Sequence, residues 1–346
     1  HLRKFQKFFL MKYFRISPDI KDNKDVHLMK ILVTGVAGFI GSHLAERLAD
    51  LGHKVVGIDC FTDYYALDLK KMNAKDVQQK GVQIYELDLA TDDLKPALLD
   101  VEFIYHLAAQ PGISATTTLE TYVRNNIIAT HRLVDACQTL SSLQCFINVS
   151  TSSVYGAQAT DSEETPPKPT SFYGVTKLAA EQLVLAFQRE NQFPACSLRI
   201  FSVYGPRERP EKLYPILIRS ILEGTPFPLF EGSESHSRSY TFIDDIVDAF
   251  ITVLDNPDRV IGEIFNIGSD VEMKTGETIK IVEDILGKQA QKLIKPKRPG
   301  DQLRTCANID KARRLLGYNP KTKIEDGLAA EVEWYKNRIF RKKNNL

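Results

Sequence analysis

Tyr173 and Lys177 stand four residues apart in YGVTK, a spacing that sets both side chains on one face of a helix. A phenol beside a fixed ammonium loses its proton below its ordinary pKa of ~10, and a second positive charge nearby extends the effect. Such a tyrosine is a base for a hydroxyl proton near neutral pH. On an arbitrary surface helix the same spacing is an inert pair, so the surrounding sequence decides. The hydroxyl run Ser150–Ser153 follows a strand-like segment ending at Val149. Clusters of this kind also serve plain turn chemistry.

A second group of residues has chemistry of its own. Gly35, Gly38 and Gly41 lie in GVAGFIG, with Phe39 and Ile40 between the last two, directly after one strand-like run and at the start of a helical one. Glycines there let backbone approach a pyrophosphate, and a helix start offers free N–H groups and positive dipole. Asp59 closes the next strand-like run. A carboxylate at that place accepts hydrogen bonds from a ribose diol and repels a 2′-phosphate, which favours tightly bound NAD over NADP.

These residues need a scaffold, and the periodicities supply one. Ile31–Thr34, Lys54–Asp59, Val82–Leu87, Glu102–His106, Gln144–Val149 and Ala195–Ile200 read as strands, several of them continuously apolar as in a sheet covered on both faces. Between them, Phe39–Leu51, Leu119–Leu140 and Ser171–Arg189 have helical spacing. Alternation of this kind implies an α/β fold: a Rossmann-type, doubly wound parallel sheet with right-handed crossovers. After residue 203 prolines interrupt the rhythm. Arg238–Ile243 and Ile264–Ile267 are expected to rejoin the sheet as strands. The expected division is therefore a dinucleotide domain over 29–203, rejoined by about 238–268, and a smaller discontinuous substrate domain from 204–237 and 269–336. It would lie over the carboxyl ends of the strands, where ligands bind in open parallel sheets.

Composition narrows the function. Lys+Arg 45 against Asp+Glu 44 gives no general attraction to nucleic acid or an anionic membrane. No apolar run approaches the roughly 18 residues of a membrane span. Cys60, Cys137, Cys145, Cys196 and Cys306 are scattered and odd in number, which fits a reducing cytoplasm. The histidines show no metal spacing, so no metal is expected. Residues 1–28, basic and without a clean period, read as a disordered upstream extension, with a basic amphipathic anchor as the alternative. Residues 337–346 read as a frayed basic tail.

The glycine spacing GxxGxxG followed by YxxxK resembles the short-chain dehydrogenase/reductase superfamily, specifically its extended branch of nucleotide-sugar epimerases and dehydratases. STSSVYG, YGVTK, FSVYGPRERP and SRSYTFIDDI are most similar to bacterial UDP-glucuronic acid 4-epimerases, over about residues 29–335. The resemblance implies that Asp88 and Leu89 contact adenine, although Asp88 could equally cap a helix. It implies that Leu107, Ala108 and Ala109 of HLAA line the cofactor, joined by Asn126, and that Thr151 completes a catalytic trio with Tyr173 and Lys177. Dehydratases of this branch have Asp-Glu immediately after that threonine. Here Ser152 and Ser153 stand instead, so elimination is disfavoured and return of the hydride, an epimerisation, is the default. The resemblance further implies a UDP-sugar substrate and a homodimer built on the two long helices.

A uronate carries a carboxylate that a bidentate guanidinium matches best. Arg209 is the nominated clamp, with Ser202 assisting and Arg207 beside it; pairing of Arg209 with Glu208 or Glu211 is the competing reading. Arg238, Arg298 and Asp301 are the expected contacts for diphosphate and nucleotide. The rival functions are a neutral UDP-glucose 4-epimerase, a decarboxylase or dehydratase, and an NAD-binding sensor without turnover.

Overall fold

The structure is a computed structural model and describes residues 28–114, 116–297 and 302–343. The expected extension over 1–28 therefore lies, but for Leu28, outside the described residues, as do Arg298 and Asp301.

Seven strands form one parallel sheet: β1 (Lys30–Thr34), β2 (Lys54–Asp59), β3 (Gln83–Glu86), β4 (Phe103–His106), β5 (Cys145–Thr151), β6 (Ala195–Ile200) and β7 (Ile264–Ile267). Their spatial order is β3-β2-β1-β4-β5-β6-β7. The chain leaves β1 in one direction for β2 and β3, then returns to its other side for β4 onward. That reversal opens a crevice at the carboxyl ends of β1 and β4, where a doubly wound sheet binds its ligand.

The alternation of β1 explains why the sheet is covered twice. Ile31 and Val33 face one core with Phe103, Tyr105 and Ile147, packed under α1 (Phe39–Asp50) through Leu44 and Leu48. Leu32 faces the other with Ile104 and Phe146, packed under Leu133, Val134 and Val184. Each such buried aliphatic side chain contributes about 1.5–3 kcal/mol. Beside α1 lies α2 (Leu67–Gln79). Helix α3 (Phe172–Asn191) begins at Ser171, whose hydroxyl accepts from the Gly174 N–H at 3.1 Å, and ends at Gln192 in a left-handed conformation.

Over the carboxyl edge of the sheet sit α4 (Leu213–Glu223), α6 (Thr275–Leu286) and α7 (Ile324–Tyr335). With them is a parallel strand pair, Phe227–Phe230 with Lys292–Lys295. Helix α5 (Ile243–Leu254) returns to the sheet, burying Ile246, Val247 and Phe250.

Three expectations are corrected. Arg238–Ile243 does not rejoin the main sheet. Ser237–Arg238 joins a small separate sheet and Thr241–Phe242 pairs with Val203–Tyr204, because Ser239 and Tyr240 break the ladder between them. The expected helix over Leu119–Leu140 ends at Cys137 and is interrupted by a π-helical turn, Val123–Ile128. The basic end is helical through Lys343, tied by Arg338 to Asp76 and by Lys343 to Glu223.

Candidate active site

A cavity of about 580 Å³ runs from the β1–α1 turn to the wall formed by α4 and the Phe227–Phe230 strand. Its first half is backbone-built. Gly35 has φ +70°, and a Cβ there would sit 3.0 Å from the Ala108 nitrogen. A Cβ on Gly41 would run into the Gly35 carbonyl. These two glycines therefore let α1 press against the turn. The helix starts at Gly38 with no side-chain cap, so no capping side chain takes up the N–H groups of its first turn. Asp59 is held at the end of β2: one carboxylate oxygen accepts from Ala37 N–H at 3.1 Å and the other from Phe61 N–H at 2.9 Å. A glycine cradle, an uncapped helix start and a fixed carboxylate together fit a dinucleotide.

Gly35, Gly38, Phe39, Ile40, Gly41, Asp59, Asp88, Leu89, Leu107, Ala108 and Ala109 all line this half. Asp88 is already engaged, with Arg124 at 2.6 Å and the Ala90 N–H at 2.9 Å. Asn126 is not among the residues that line the cavity. It is buried in the π-helical turn, accepting from Gln110 N–H at 2.7 Å and donating to Thr176 Oγ1 at 3.0 Å. It ties the wall carrying Gln110 to the helix carrying Tyr173.

Tyr173, Lys177 and Thr151 converge midway along the cavity. Thr151 ends β5, and its hydroxyl lies near enough to the Tyr173 phenol to pull its pKa down. The ring of Tyr173 lies 6.3 Å from that of Tyr122. Burial raises the phenol above its ordinary pKa, against the pull of the Thr151 hydrogen bond and the Arg209 guanidinium. Desolvation of the phenolate therefore works against the surrounding positive charge. Lys177 is itself buried and shifted down to about 8 by desolvation, with Glu181 opposing. Glu181 lies one turn further along α3 and grips Arg199 bidentately at 2.7 and 3.0 Å, both side chains fully enclosed.

Ser152, Ser153, Ser202, Arg209 and Arg238 line the second half. Arg209 enters it over the ring of Tyr64, 5.7 Å from the centroid, with Nη1 2.8 Å from Glu211 Oε1. Arg238 donates to the Gln302 carbonyl at 2.7 Å. Arg207 is a correction: it points away from the cavity and pairs with Glu46 at 2.7 Å and Asp76 at 3.2 Å. Its φ of +70° turns the chain so that two arginines, two positions apart, face opposite ways. Residues with no sequence signal also contribute. Tyr64 comes from an irregular loop after β2, and Tyr204, Tyr214 and Tyr240 stack beside the distal wall. Only the frequency of tyrosine in these segments hinted at them. Among the described residues no group of His, Cys, Asp or Glu could hold a metal ion, and no helix is long and apolar enough to cross a membrane.

Residues 31–268 match the model of the NAD dependent epimerase/dehydratase family. An uncharacterized UDP-glucose epimerase of Bacillus subtilis, YtcB, is 41% identical over 88% of this chain and 98% of its own length. UDP-glucuronate 4-epimerase 4 of Arabidopsis thaliana is 33% identical over 88% of this chain and 75% of its own. The crystal structure of UDP-glucuronic acid 4-epimerase from Bacillus cereus, in complex with UDP-glucuronic acid and NAD, superposes with a TM-score of 0.85. It is 39% identical, with 89% of this chain and 99% of that one covered.

Proposed function

The chain belongs to the NAD dependent epimerase/dehydratase family, and we propose that it is an isomerase inverting carbon 4 of a UDP-hexuronate, interconverting UDP-glucuronate and UDP-galacturonate through a transient 4-keto sugar. The observation that carries this reading is the placing of Arg209 in the same cavity as Thr151, Tyr173 and Lys177. Gly35, Gly38, Gly41 and Asp59 would hold NAD, with Asp88, Leu89 and Leu107–Ala109 along its flank. When bound, NAD takes the hydride from carbon 4, returns it, and adds a second positive charge beside the tyrosine.

Tyr173 removes the proton of the 4-hydroxyl, and Thr151 holds the hydrogen bond between them. Lys177, enclosed and cationic near neutral pH, offsets the cost of forming a phenolate in a desolvated place. Ser152 and Ser153 bring no carboxylate, so nothing beside the ketone drives elimination. Arg209, assisted by the Ser202 hydroxyl, matches the substrate carboxylate, and Arg238 the diphosphate. A clamped carboxylate also keeps the bond to carbon dioxide poorly aligned with the ketone, which guards the β-keto acid. The ketone then presents its other face while the nucleotide stays held.

Leu119, Ile128, Phe172 and Val175 are exposed apolar side chains on adjoining helical segments. They support a homodimer with this face as its interface. The five free cysteines fit a reducing cytoplasm.

The test is incubation with UDP-glucuronate without added cofactor, followed by NMR of the product at carbon 4. Inversion there, lost in Arg209→Ala, is the expected result. The salt bridge of Arg209 to Glu211 favours one rival, a neutral UDP-glucose epimerase in which the guanidinium is already neutralised. Turnover of UDP-glucose alone, or an Arg209→Ala enzyme with unchanged uronate kinetics, would establish that rival.

A further inference from the structure

The loop Gly205–Arg209 is tethered at two successive residues, Pro206 and Arg207, to the helices α1 and α2. The Pro206 carbonyl lies 2.8 Å from His43 Nε2 on α1. Arg207 reaches Glu46 on α1 and Asp76 on α2, and its side chain is only 10% exposed. Asp76 is shared with Arg338, at 2.6 Å, beyond the end of α7. Glu208 lines the cavity and neighbours Glu331 of α7. Arg207 also occupies a left-handed backbone conformation, φ +70°, that non-glycine residues adopt only when their surroundings over-determine it.

We propose that Arg207 is the positioning residue for carboxylate recognition: its ion pairs with Glu46 and Asp76 fix the inverted loop that delivers Arg209 to the cavity. The inference rests on the uronate reading above. The geometry argues for it in two ways. With Pro206 and Arg207 anchored outside the cavity, the loop turns back into its lining at Glu208 and Arg209. Arg209 then occupies a slot between Tyr64 and Gly112 that barely admits it: a Cβ on Gly112 would stand 3.0 Å from Arg209 Nη2. A guanidinium that must meet a carboxylate through two parallel hydrogen bonds tolerates little misplacement, so slack in the loop is read out as lost substrate affinity. The anchor spans the sheet-covering helices α1 and α2, so the specificity of one end of the cavity is set by the same helix that begins at the dinucleotide cradle.

The experiment compares wild type, Arg207→Ala, Arg207→Gly, Arg207→Lys and the double variant Glu46→Gln/Asp76→Asn. KM and kcat are read with UDP-glucuronate, and the Kd of UDP, which lacks the carboxylate, by calorimetry. The expected result is a rise of about tenfold or more in KM for Arg207→Ala and for the double variant, with UDP affinity unchanged. Arg207→Gly accepts the same φ without strain, so an equal loss there assigns the effect to the ion pairs. Partial recovery in Arg207→Lys supports the same conclusion. The double variant leaves Arg207 and the loop sequence intact, and stands in for Arg207→Ala should the latter fail to fold. Unchanged KM, or KM and UDP affinity weakened in equal proportion, overturns the proposal. A wild type that leaves UDP-glucuronate untouched overturns the uronate reading itself, which is a separate outcome.

Discussion

Glu181→Gln should move the alkaline limb of the pH–rate profile to lower pH and destabilise the fold at the same time. Glu181 follows Lys177 by one helical turn, so their side chains are roughly 6 Å apart. Lys177 already stands at about 8 because it is buried, and Glu181 is the charge that keeps it from falling further. At an effective dielectric constant of ~20 a unit charge at that distance is worth about 2–3 kcal/mol, or about two pH units. The activity that needs the Lys177 ammonium should then fail roughly one to two units earlier on the alkaline side. The same substitution strands Arg199, whose guanidinium keeps the Tyr155 hydroxyl at 2.9 Å but loses its bidentate partner. Breaking a buried pair by one partner costs about 3–5 kcal/mol. A Glu181→Leu/Arg199→Leu enzyme should recover much of that stability without recovering the pH limb. The assays are kcat/KM for UDP-glucuronate from pH 6 to 10 and urea melts, with kinetics taken where each variant is fully folded. An alkaline limb that does not move in a folded Glu181→Gln enzyme would refute the reasoning.

Gly41→Ala places a Cβ in the Gly35 carbonyl, and neither backbone can yield without moving α1 off the turn. NAD affinity, followed by cofactor fluorescence, should drop by two orders of magnitude or about 3 kcal/mol; binding at wild-type strength would exclude the cradle. Tyr173→Phe should cost about 10²–10⁴ in kcat while cofactor stays bound, and equal turnover would remove Tyr173 from the chemistry. His106 is buried between Thr34 and Thr130, at 2.9 Å each, and burial, followed by the charge of Lys177, holds its pKa down to about 3. It stays neutral in the folded state while the unfolded chain takes up a proton below about 6.5. Stability is therefore full above 6.5 and declines as pH falls toward 3, by about 1.4 kcal/mol per unit. His43 is lowered to about 3 as well and adds a parallel decline. Denaturant melts at pH 5.0 and 7.5 should show a shallower loss in His106→Asn than in wild type; an equal loss would mean that His106 is charged when folded.

The sheet was legible because its strands carry unbroken apolar runs and its helices a clean stripe, and both follow from burial on two faces. The dinucleotide turn was legible for a different reason: only glycine satisfies the approach of Gly41 to Gly35, so the chemistry is written in residue type. Arg207 was misassigned because sequence spacing treats the two arginines of RER as equivalent, while a single left-handed φ separates their destinations. Arg238–Ile243 was misread because a period of two says nothing about which partner each half will find. Glu181 with Arg199, and Glu208 with Glu331, are pairs made by tertiary packing between residues far apart in the chain, and neither member has local context that announces the other. The spacing of Tyr173 and Lys177 speaks for the charge beside the phenol but not for its desolvation, which depends on a cavity that no linear pattern records.

The π-helical turn at Val123–Ile128 marks where this helix absorbs a change of length. Its wide turn leaves the Asn126 carbonyl to accept the Thr130 hydroxyl at 2.7 Å. The turn houses one residue more than ordinary winding would, so removing one residue there would restore an α-helix and leave Leu133, Val134 and Cys137 facing the sheet. Removing one from Ala129–Cys137 would instead rotate every residue beyond it by about 100°. Natural length variation among relatives should therefore fall in these six positions rather than in the regular turns that follow.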